Sequence, residues 1–410
     1  MKIEKKIKHL KQPMIMKKLF LIFTMLLFIY SCDVENPGPI AESALNNSSA
    51  VPGLVVGMSA DLSFAYRTTT RWGSVWGDDL THSGTFSAPT IFSTGAINSE
   101  DINPWWEDAQ RARWVAENGI ERIRGILDDE FDSNENVAKA HLHAGFSNRI
   151  LGENVCFAVI DGGPREDYTV HFERAENYFT DAIAIANNLD NQNLLNAAIS
   201  GRASVRAALG DWDGAAADAE QVPVDYRYEA IYSTNSGREN NDWPPNTINR
   251  GEYSVYGTQW EGVNDPRLPQ EVIFDASNDT STAANGATPW ITQLKYETDA
   301  DNIALSKGTE MLLIRAEMEL RENQDFNAAM GYINQGRDFH GLGDLSANNI
   351  SEAWGHLQDE RGKDMWLEGR RFWDLRRWNE DTGAANNSFL DGRDNCVPIG
   401  QSELEMNPNL

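Results

Sequence analysis

Apolar side chains recur every three or four residues along most of the chain, which is the spacing of one face of an α-helix. Within residues 170–222 this pattern predicts two amphipathic helices and a third, short helix from Gly214 to Glu220. Gly210 and Asp211 stand between the second and third helices, where a glycine typically ends one helix and an aspartate caps the next.

Two other stretches show the same pairing of helices. One pair is predicted over 105–127 and 137–151, and the other over 309–321 and 326–337. Alanine and glycine fall where paired helices meet. This pattern resembles tetratricopeptide units, although an ordinary helical bundle has the same features. We interpret the pairs as degenerate repeats packed in one body. The predicted fold class is therefore mainly α, with long loops and a few short strands.

Two segments, 72–101 and 233–298, have little periodicity and are rich in Gly, Asn, Thr, Ser and Trp. Loops of this length inside a compact domain are usually functional or disordered. Their aromatic content favours ordered loops over disorder, because disordered segments contain few aromatic residues. The loops are therefore the place to look for a binding site.

The N-terminus has the features of an export signal. Lys17 and Lys18 precede an apolar stretch from Leu19 to Tyr30, and Ser31-Cys32 follows. The stretch is too short to cross a bilayer, which needs about 20 residues as a helix. A small residue before a cysteine resembles the lipobox of bacterial lipoproteins and predicts lipidation of Cys32. The alternative is an ordinary secretory signal with an incidental cysteine.

These patterns divide the chain into a signal, a tether rich in polar residues and one folded domain. Met14 and Met16 are as plausible starts as Met1. The predicted boundaries are a signal peptide at 1–31, a tether at 32–52 and a domain at 53–410, itself divided into an N-terminal helical part (53–230), a variable loop region (231–305) and C-terminal helices (306–410).

Charge excludes two classes of partner. The whole chain has a formal net charge of −27, and the residues before Cys32 hold seven lysines and one glutamate, so the exported part is more acidic still. Such a surface repels nucleic acid and anionic membrane, and favours neutral or cationic ligands. Cys156 and Cys396 could pair, but buried free thiols are the preferred interpretation. No phosphate-binding loop, catalytic serine elbow or paired-cysteine motif indicates a cofactor or a metal.

A dense cluster of charged and aromatic residues stands near the C-terminus. It contains Asp359-Glu360-Arg361 and then Met365-Trp366-Leu367-Glu368-Gly369-Arg370-Arg371-Phe372-Trp373-Asp374-Leu375-Arg376-Arg377-Trp378. This signature strongly resembles that of the SusD/RagB family of Bacteroidetes outer-membrane lipoproteins. Asn264-Asp265-Pro266-Arg267 and Lys295-Tyr296 fall in the order of that family, on either side of a variable loop.

The resemblance implies a surface-exposed lipoprotein anchored in the outer membrane by lipid. Members of the family bind oligosaccharides, or peptides in RagB-like members, and deliver them to a SusC-like TonB-dependent transporter. It also implies that the chain catalyses no reaction and needs no cofactor. The resemblance is weakest over 68–101.

The charged cluster favours a structural role over a catalytic one. Arg370 and Asp374 are four residues apart on a helix, and Glu360 and Glu368 are expected to pair with Arg315 or Arg337 from neighbouring helices. Catalytic carboxylates need an open cleft, whereas these lie among tryptophan and phenylalanine residues. We therefore expect buried ion pairs that specify packing.

The loops supply the chemistry of a sugar-binding site. A pyranose has an apolar C–H face and a polar rim, which suit an aromatic ring flanked by amide and carboxylate groups. We expect Trp243 to be exposed, because it precedes two prolines in a polar loop. The candidate ligand-binding residues are Trp72, Trp76, Asp78, Trp243, Asn246, Tyr256, Trp260 and Trp290. The tryptophans assigned instead to the core are Trp105, Trp106, Trp114, Trp212 and Trp354.

Two other functions fit the sequence. A glycoside hydrolase would use two carboxylates roughly 5 to 9.5 Å apart in a cleft. A scaffold would bind only other proteins through its helical pairs. Sequence patterns alone exclude neither.

Overall fold

The computed structural model describes residues 42–380 and 388–410. The predicted signal peptide, Cys32 and the first part of the predicted tether lie outside the described residues. By its contacts the chain divides into two units, Met1–Ala50 and Val51–Leu410. The described part of the first unit consists of two short 3-10 helices, Glu42–Leu45 and Ser48–Ala50.

The described part of the second unit is mainly helical, as the sequence predicted. Its helices are α1 (Val51–Trp76), α2 (Ser87–Ser93), α3 (Asn103–Leu127), α4 (Glu135–Asn154), α5 (Thr169–Asn188), α6 (Gln192–Leu209), α7 (Trp212–Ala219), α8 (Trp243–Thr247), α9 (Gly308–Met318), α10 (Phe326–Phe339), α11 (Ile350–Asp364), α12 (Arg371–Glu380) and α13 (Gln401–Met406). A π-helical turn, Glu319–Asn323, extends α9. Among the described residues, no helix combines the length and apolar composition needed to span a bilayer.

Short strands form antiparallel pairs between the helices. The strands are β1 (Thr81–His82), β2 (Phe157–Val159), β3 (Arg165–Asp167), β4 (Arg227–Ala230), β5 (Tyr253–Ser254), β6 (Gln270–Val272), β7 (Ile291–Gln293) and β8 (Ile303–Lys307). The pairs are β1 with β5, β2 with β3, β4 with β8 and β6 with β7. The pairing of β1 with β5 joins the two loop segments to each other, and the pairing of β6 with β7 lies within the second segment.

The predicted helix pairs are confirmed. The break between α6 and α7 also has the predicted chemistry: Gly210 adopts a left-handed φ of 82°, and the Asp211 side chain accepts a hydrogen bond from the Gly214 backbone N–H. Small residues let the paired helices approach closely. A Cβ on Gly145 or Gly201 would lie about 2.5 Å from the ring of Phe179, so α4, α5 and α6 pack tightly only with glycine at these positions.

The prediction that Trp72 begins a loop is wrong. Trp72 and Trp76 instead lie in the last two turns of α1, which is 26 residues long. Threonines and Gly73 in these turns weaken the intrinsic helix propensity. The helix persists because most of its last ten side chains are buried against the rest of the domain.

The prediction of free thiols at Cys156 and Cys396 is also wrong, because they form a disulfide. Their Cα atoms are 5.0 Å apart, although 240 residues separate them in the chain. Val155 and Val397 beside them form a parallel bridge. The C-terminal segment continues across the domain, where the Gln401 N–H donates to the Ser99 carbonyl. The disulfide thus fastens the end of the chain to the end of α4.

Candidate functional site

Nine buried or half-buried side chains form an alternating series of arginines and carboxylates through the C-terminal signature. In order, each 3.4 Å or less from the next, they are Arg149, Glu153, Arg370, Glu310, Arg361, Asp374, Arg377, Glu317 and Arg321. The series connects α4, α9, α11 and α12 with the π-helical turn. The signature therefore supplies the polar interior that joins these elements.

The pairing partners differ in part from those expected. Glu360 does pair with Arg337, at 2.5 Å. Glu368 contacts Lys295 and Lys307 instead of an arginine. Arg315 does not reach either glutamate; it donates to the Tyr332 hydroxyl.

The arginines keep the central carboxylates ionised. Burial by itself would raise the pKa of Glu310, but Arg370 and Arg361 outweigh it and lower that pKa to about 2. Burial likewise would raise the pKa of Glu317, but Arg377 outweighs it and lowers that pKa to about 2. A general acid needs a pKa near the working pH. These two carboxylates are therefore suited to holding arginines in place and not to donating protons.

Trp72 and Trp76, predicted to bind sugar, lie instead in an aromatic cluster of the core. Trp76 is 1% exposed and packs edge to face against Trp72 and Trp105, at 6.2 and 5.7 Å between ring centroids. Phe92 and Phe372 complete the cluster. The burial of both tryptophans leaves no ring face on which a sugar could stack.

Trp243 is also buried, at 1% exposure, so the prediction of an exposed ring is wrong here. The two prolines after it occupy the first turn of α8, where a missing N–H is tolerated, and so they start a helix where a loop was predicted. Its ring packs against Tyr253, at 6.4 Å. Asn246 is buried in the same short helix and donates to the Asp242 carbonyl.

Trp260 and Asp78 belong to one packing arrangement. Trp260 is 1% exposed; a Cβ on Gly362 would come within 2.7 Å of its ring. The guanidinium of Arg371 lies 5.5 Å from the same ring and forms a two-pronged pair with Asp78. Asp78 also accepts a hydrogen bond from Gln259. Asp78 thus attaches the segment after Tyr256 to α12.

The carboxyl group of Asp79, which follows Asp78 in the chain, has a shifted pKa. Burial, and then the charge of Asp78, raise the pKa of Asp79 to about 8. One of its carboxyl oxygens has no hydrogen-bond partner among the described residues. At 1% exposure the group is sealed from solvent, so a substrate would not reach it.

Tyr256 and Trp290 are the two predicted aromatic residues that solvent reaches. Tyr256 is 41% exposed and Trp290 is half-buried. Their neighbours Val255 and Ile291 are buried and joined by a hydrogen bond from the Val255 N–H to the Ile291 carbonyl. Tyr256 directly follows Val255 in a turn, and Trp290 directly precedes Ile291. Both accessible aromatic residues are therefore next to this hydrogen bond in the chain.

The backbone around Trp290 is held firmly. Trp290 donates to the Ser281 carbonyl, Ser281 donates to the Ile273 carbonyl, and Ile273 donates back to Trp290, so three chain segments close a ring of hydrogen bonds. The indole N–H donates to the Thr247 carbonyl. The ring lies against Gly251, where a Cβ would be 3.0 Å from it. Trp290 is therefore fixed in position before any ligand arrives.

Other polar and aromatic groups are tied to the same place. Phe86 lies 5.0 Å beneath the guanidinium of Arg250, and the Asn285 N–H donates to the Ser83 carbonyl. We call the surface formed by Phe86, Arg250, Tyr256, Asn285 and Trp290 the loop platform.

Phe274 and Trp114 are among the exposed aromatic residues that sequence reasoning missed. Phe274, on the hairpin next to Trp290, is 56% exposed. Its position beside the turn at Asp275 was the available signal, because strand ends are commonly exposed. Trp114 was assigned to the core and is 50% exposed. It lies in line with Arg111 and Asn118 on the solvent side of α3, so that assignment is wrong.

An open cleft of about 410 Å³ lies elsewhere, between the end of α6 and α12. Trp212 and Trp373 line it, but both are buried. Arg321 and Arg377 on its wall are both paired with Glu317. The loop platform is the better candidate site because solvent reaches its rings more than it reaches these two.

The sequence model of the SusD family matches residues 220–395. This span includes four residues of the loop platform, Arg250, Tyr256, Asn285 and Trp290. It also includes the ion-paired C-terminal signature. No curated protein sequence matches the chain.

Solved structures share the fold at low sequence identity. A surface glycan-binding protein A from Bacteroides thetaiotaomicron is 16% identical, with a TM-score of 0.68 over 89% of this chain and 98% of that one. A SusD/RagB family protein from the same species is 15% identical, with a TM-score of 0.65 over 87% and 94%. A SusD-like carbohydrate binding protein from Bacteroides vulgatus is 15% identical, with a TM-score of 0.62 over 89% and 97%. The chain is therefore similar to the SusD/RagB family: the family's sequence model matches residues 220–395, and solved structures of that family share the fold across most of the chain.

Proposed function

We propose that this chain is a non-catalytic glycan-binding lipoprotein that captures oligosaccharides on the loop platform. The match to the SusD family's sequence model supports this, and so does the fold shared with a SusD-like carbohydrate binding protein and a surface glycan-binding protein. The observation that carries the proposal is that solvent reaches Tyr256 and Trp290, whose neighbouring backbone is held in place by hydrogen bonds.

The chemistry of the platform suits a sugar. The faces of the two rings can cover the apolar C–H surface of a pyranose, while polar groups at the edge bind hydroxyls. The half-exposed guanidinium of Arg250 pairs with Glu252 through Nη2 and has further N–H donors for sugar hydroxyls. A fixed ring loses little conformational entropy on binding, which favours affinity.

Binding without catalysis is supported by the state of the interior carboxylates. Glu310 and Glu317 are buried and held ionised by arginine, and Asp79 is protonated at neutral pH but sealed from solvent. A glycoside hydrolase needs an acid and a second carboxylate that both reach the scissile bond. Release of reducing sugar by the purified chain would support the hydrolase instead.

Isothermal titration calorimetry with oligosaccharides selected on a glycan array tests the proposal. Trp290→Ala and Tyr256→Ala should each weaken binding at least about tenfold, which corresponds to about 1.4 kcal/mol. Trp114→Ala is the matched control, because it removes an even more exposed ring, on α3, and should leave affinity unchanged. Equal affinity in all three variants would place the ligand elsewhere. Peptides belong on the same panel, since RagB-like binding of peptides is the alternative.

We further propose that Cys32 carries the lipid anchor and that a SusC-like TonB-dependent transporter receives the ligand. In this arrangement the chain is displayed at the surface of the outer membrane. Cys32→Ala should release the protein from the membrane fraction, and protease added to intact cells should digest the wild type. Protection from protease would show that the protein faces the periplasm. Co-purification of the transporter with tagged wild type tests the partnership.

A further inference from the structure

We infer that the loop platform selects uncharged or amine-bearing glycans and rejects those that carry carboxylate or sulfate groups. This inference rests on the proposed function and adds the chemical class of the ligand. It follows from the charged groups that surround the two exposed rings.

Three acidic residues lie on strand β6 and on the hairpin that is hydrogen-bonded to Trp290. Strand β6 pairs with β7 so that Glu271 is opposite Thr292, and Ile273 is hydrogen-bonded to Trp290 in the same register. Opposite residues of an antiparallel pair point to one face, and so do residues two apart along a strand. The exposed Glu271 is therefore a diagonal neighbour of Trp290. Asp275 and Asp279 are exposed in the turn of the hairpin that begins at Ile273.

Tyr256 also has an acidic neighbour. The Glu261 carboxylate accepts a hydrogen bond from the Gly257 N–H, which places it one residue from Tyr256. The side chain of Glu261 is exposed. A ligand that approaches Tyr256 or Trp290 therefore comes near acidic side chains.

Basic groups in this part of the chain are few, and partners occupy them. Residues 250–301 contain nine acidic and three basic residues. Arg267 pairs with Asp265 and Glu360, and Lys295 pairs with Glu368, so both charges are directed away from the platform. Arg250 lies on the platform but pairs with Glu252, at 2.7 Å. The potential over the platform is therefore negative.

A negative potential acts on a ligand in proportion to its own charge. At physiological ionic strength the Debye length is about 8 Å, which is comparable to the separation of neighbouring side chains on this surface. A uronate carboxylate stacked near Trp290 would be repelled by several carboxylates at once and would find Arg250 already paired. A neutral hydroxymethyl group at the same position meets no such repulsion, and an ammonium group is attracted.

The local potential can be measured without any ligand. Fluorescence quenching by caesium and by iodide is compared between the wild type and Trp290→Phe, so that the difference reports on Trp290. Each quenching constant is divided by that for N-acetyltryptophanamide. We expect caesium to quench Trp290 at least twofold more effectively than iodide. Equal quenching, or stronger quenching by iodide, would overturn the inference. Trp114→Phe serves as the control for an exposed ring outside the platform.

Selectivity is tested with ligand pairs of identical length and linkage. Oligogalacturonates and their carboxyl-reduced counterparts form one pair, and chitosan and chitin oligosaccharides form an amine-bearing pair. Within the first pair the uronate should bind at least about tenfold more weakly, and 0.5 M salt should narrow the difference. A triple variant carries Glu261→Gln, Glu271→Gln and Asp279→Asn. It should also narrow the difference in affinity between the uronate and its reduced counterpart, and should leave the affinity for neutral ligands unchanged.

The outcomes separate this inference from the proposed function. Tighter binding of the uronate, or an unchanged preference in the triple variant, would overturn the selectivity and leave glycan binding intact. Binding of no glycan on a broad array would overturn both. Retained Tm in the triple variant shows that any change in affinity is not caused by misfolding.

Discussion

The guanidinium of Arg370 lies 2.9 Å from the carboxylate of Glu310, and both side chains are almost completely buried. The same guanidinium is 3.1 Å from Glu153 on α4. One cation therefore joins carboxylates from two helices that are far apart in the chain. Sharing of this kind helps to explain the many arginines of the C-terminal signature inside an aromatic core, since Arg361, Arg370 and Arg377 each contact two carboxylates.

We expect Arg370→Ala to destabilise the domain by about 3 to 5 kcal/mol, because it leaves two buried carboxylates without their shared cation. Urea unfolding followed by tryptophan fluorescence measures this. Arg111→Ala is the control, since it removes a pair on the surface with Asp108, and such pairs contribute about 0 to 1 kcal/mol. A variant of normal stability that no longer binds glycan would instead assign Arg370 to the binding site.

Asp79 predicts a dependence of stability on pH. Because burial raises the pKa of Asp79 to about 8 in the folded protein, the unfolded chain loses this proton at lower pH than the folded chain does. The free energy of unfolding should therefore fall as pH rises from about 4 to about 8. Asp79→Asn should remove this part of the slope, so its gain in Tm over the wild type should be larger at pH 8 than at pH 5. An equal difference in Tm at both values would contradict the raised pKa.

The disulfide between Cys156 and Cys396 should contribute about 2 to 5 kcal/mol to stability, because it closes a loop of 240 residues in the unfolded chain. Cys156→Ser should lower Tm accordingly. Dithiothreitol should lower Tm of the wild type to that of the variant and leave the variant itself unaffected. A wild type insensitive to reductant at its transition temperature would show that the bond contributes little.

Gly251→Ala tests how Trp290 is positioned. Gly251 has a φ of 60°, and an added Cβ would lie 3.0 Å from the indole ring. We expect the substitution to displace the ring and weaken glycan binding at least about fivefold, with a smaller effect on Tm. Gly237→Ala is the matched control, because a Cβ there meets no atom within 4 Å. Unchanged binding by Gly251→Ala would mean that the ring tolerates displacement or does not contact the ligand.

The spacing of apolar residues was sufficient to predict the paired helices and the breaks between them. Both the apolar face of a helix and the glycine that ends it can be read from neighbouring residues in the sequence. The spacing could not predict which loop tryptophans are buried. Trp243 and Trp260 are covered by groups from distant parts of the chain, such as Tyr253 and Arg371, and the sequence around them is polar. The apolar spacing also gave a wrong prediction for Trp114, which was assigned to the core but lies on the solvent side of α3.

The candidate site could be predicted only in part, because contacts between distant parts of the chain also determine which of its residues lie together. Tyr256 and Trp290 were among the residues chosen for their aromatic and polar surroundings, and both are accessible. Phe86 and Asn285 were missed because their proximity depends on hydrogen bonds between three separate segments. The pairing of Cys156 with Cys396 likewise depends on tertiary contacts 240 residues apart.

The attachment of the last residues to the end of α4 has a consequence for how the molecule is made. Cys156 cannot form this bond until Cys396, 240 residues further along the chain, has been synthesised and has reached the end of α4. A chain that lacks Cys396 therefore keeps Cys156 as a free thiol. A thiol-reactive probe can distinguish that chain from one in which the bond has formed.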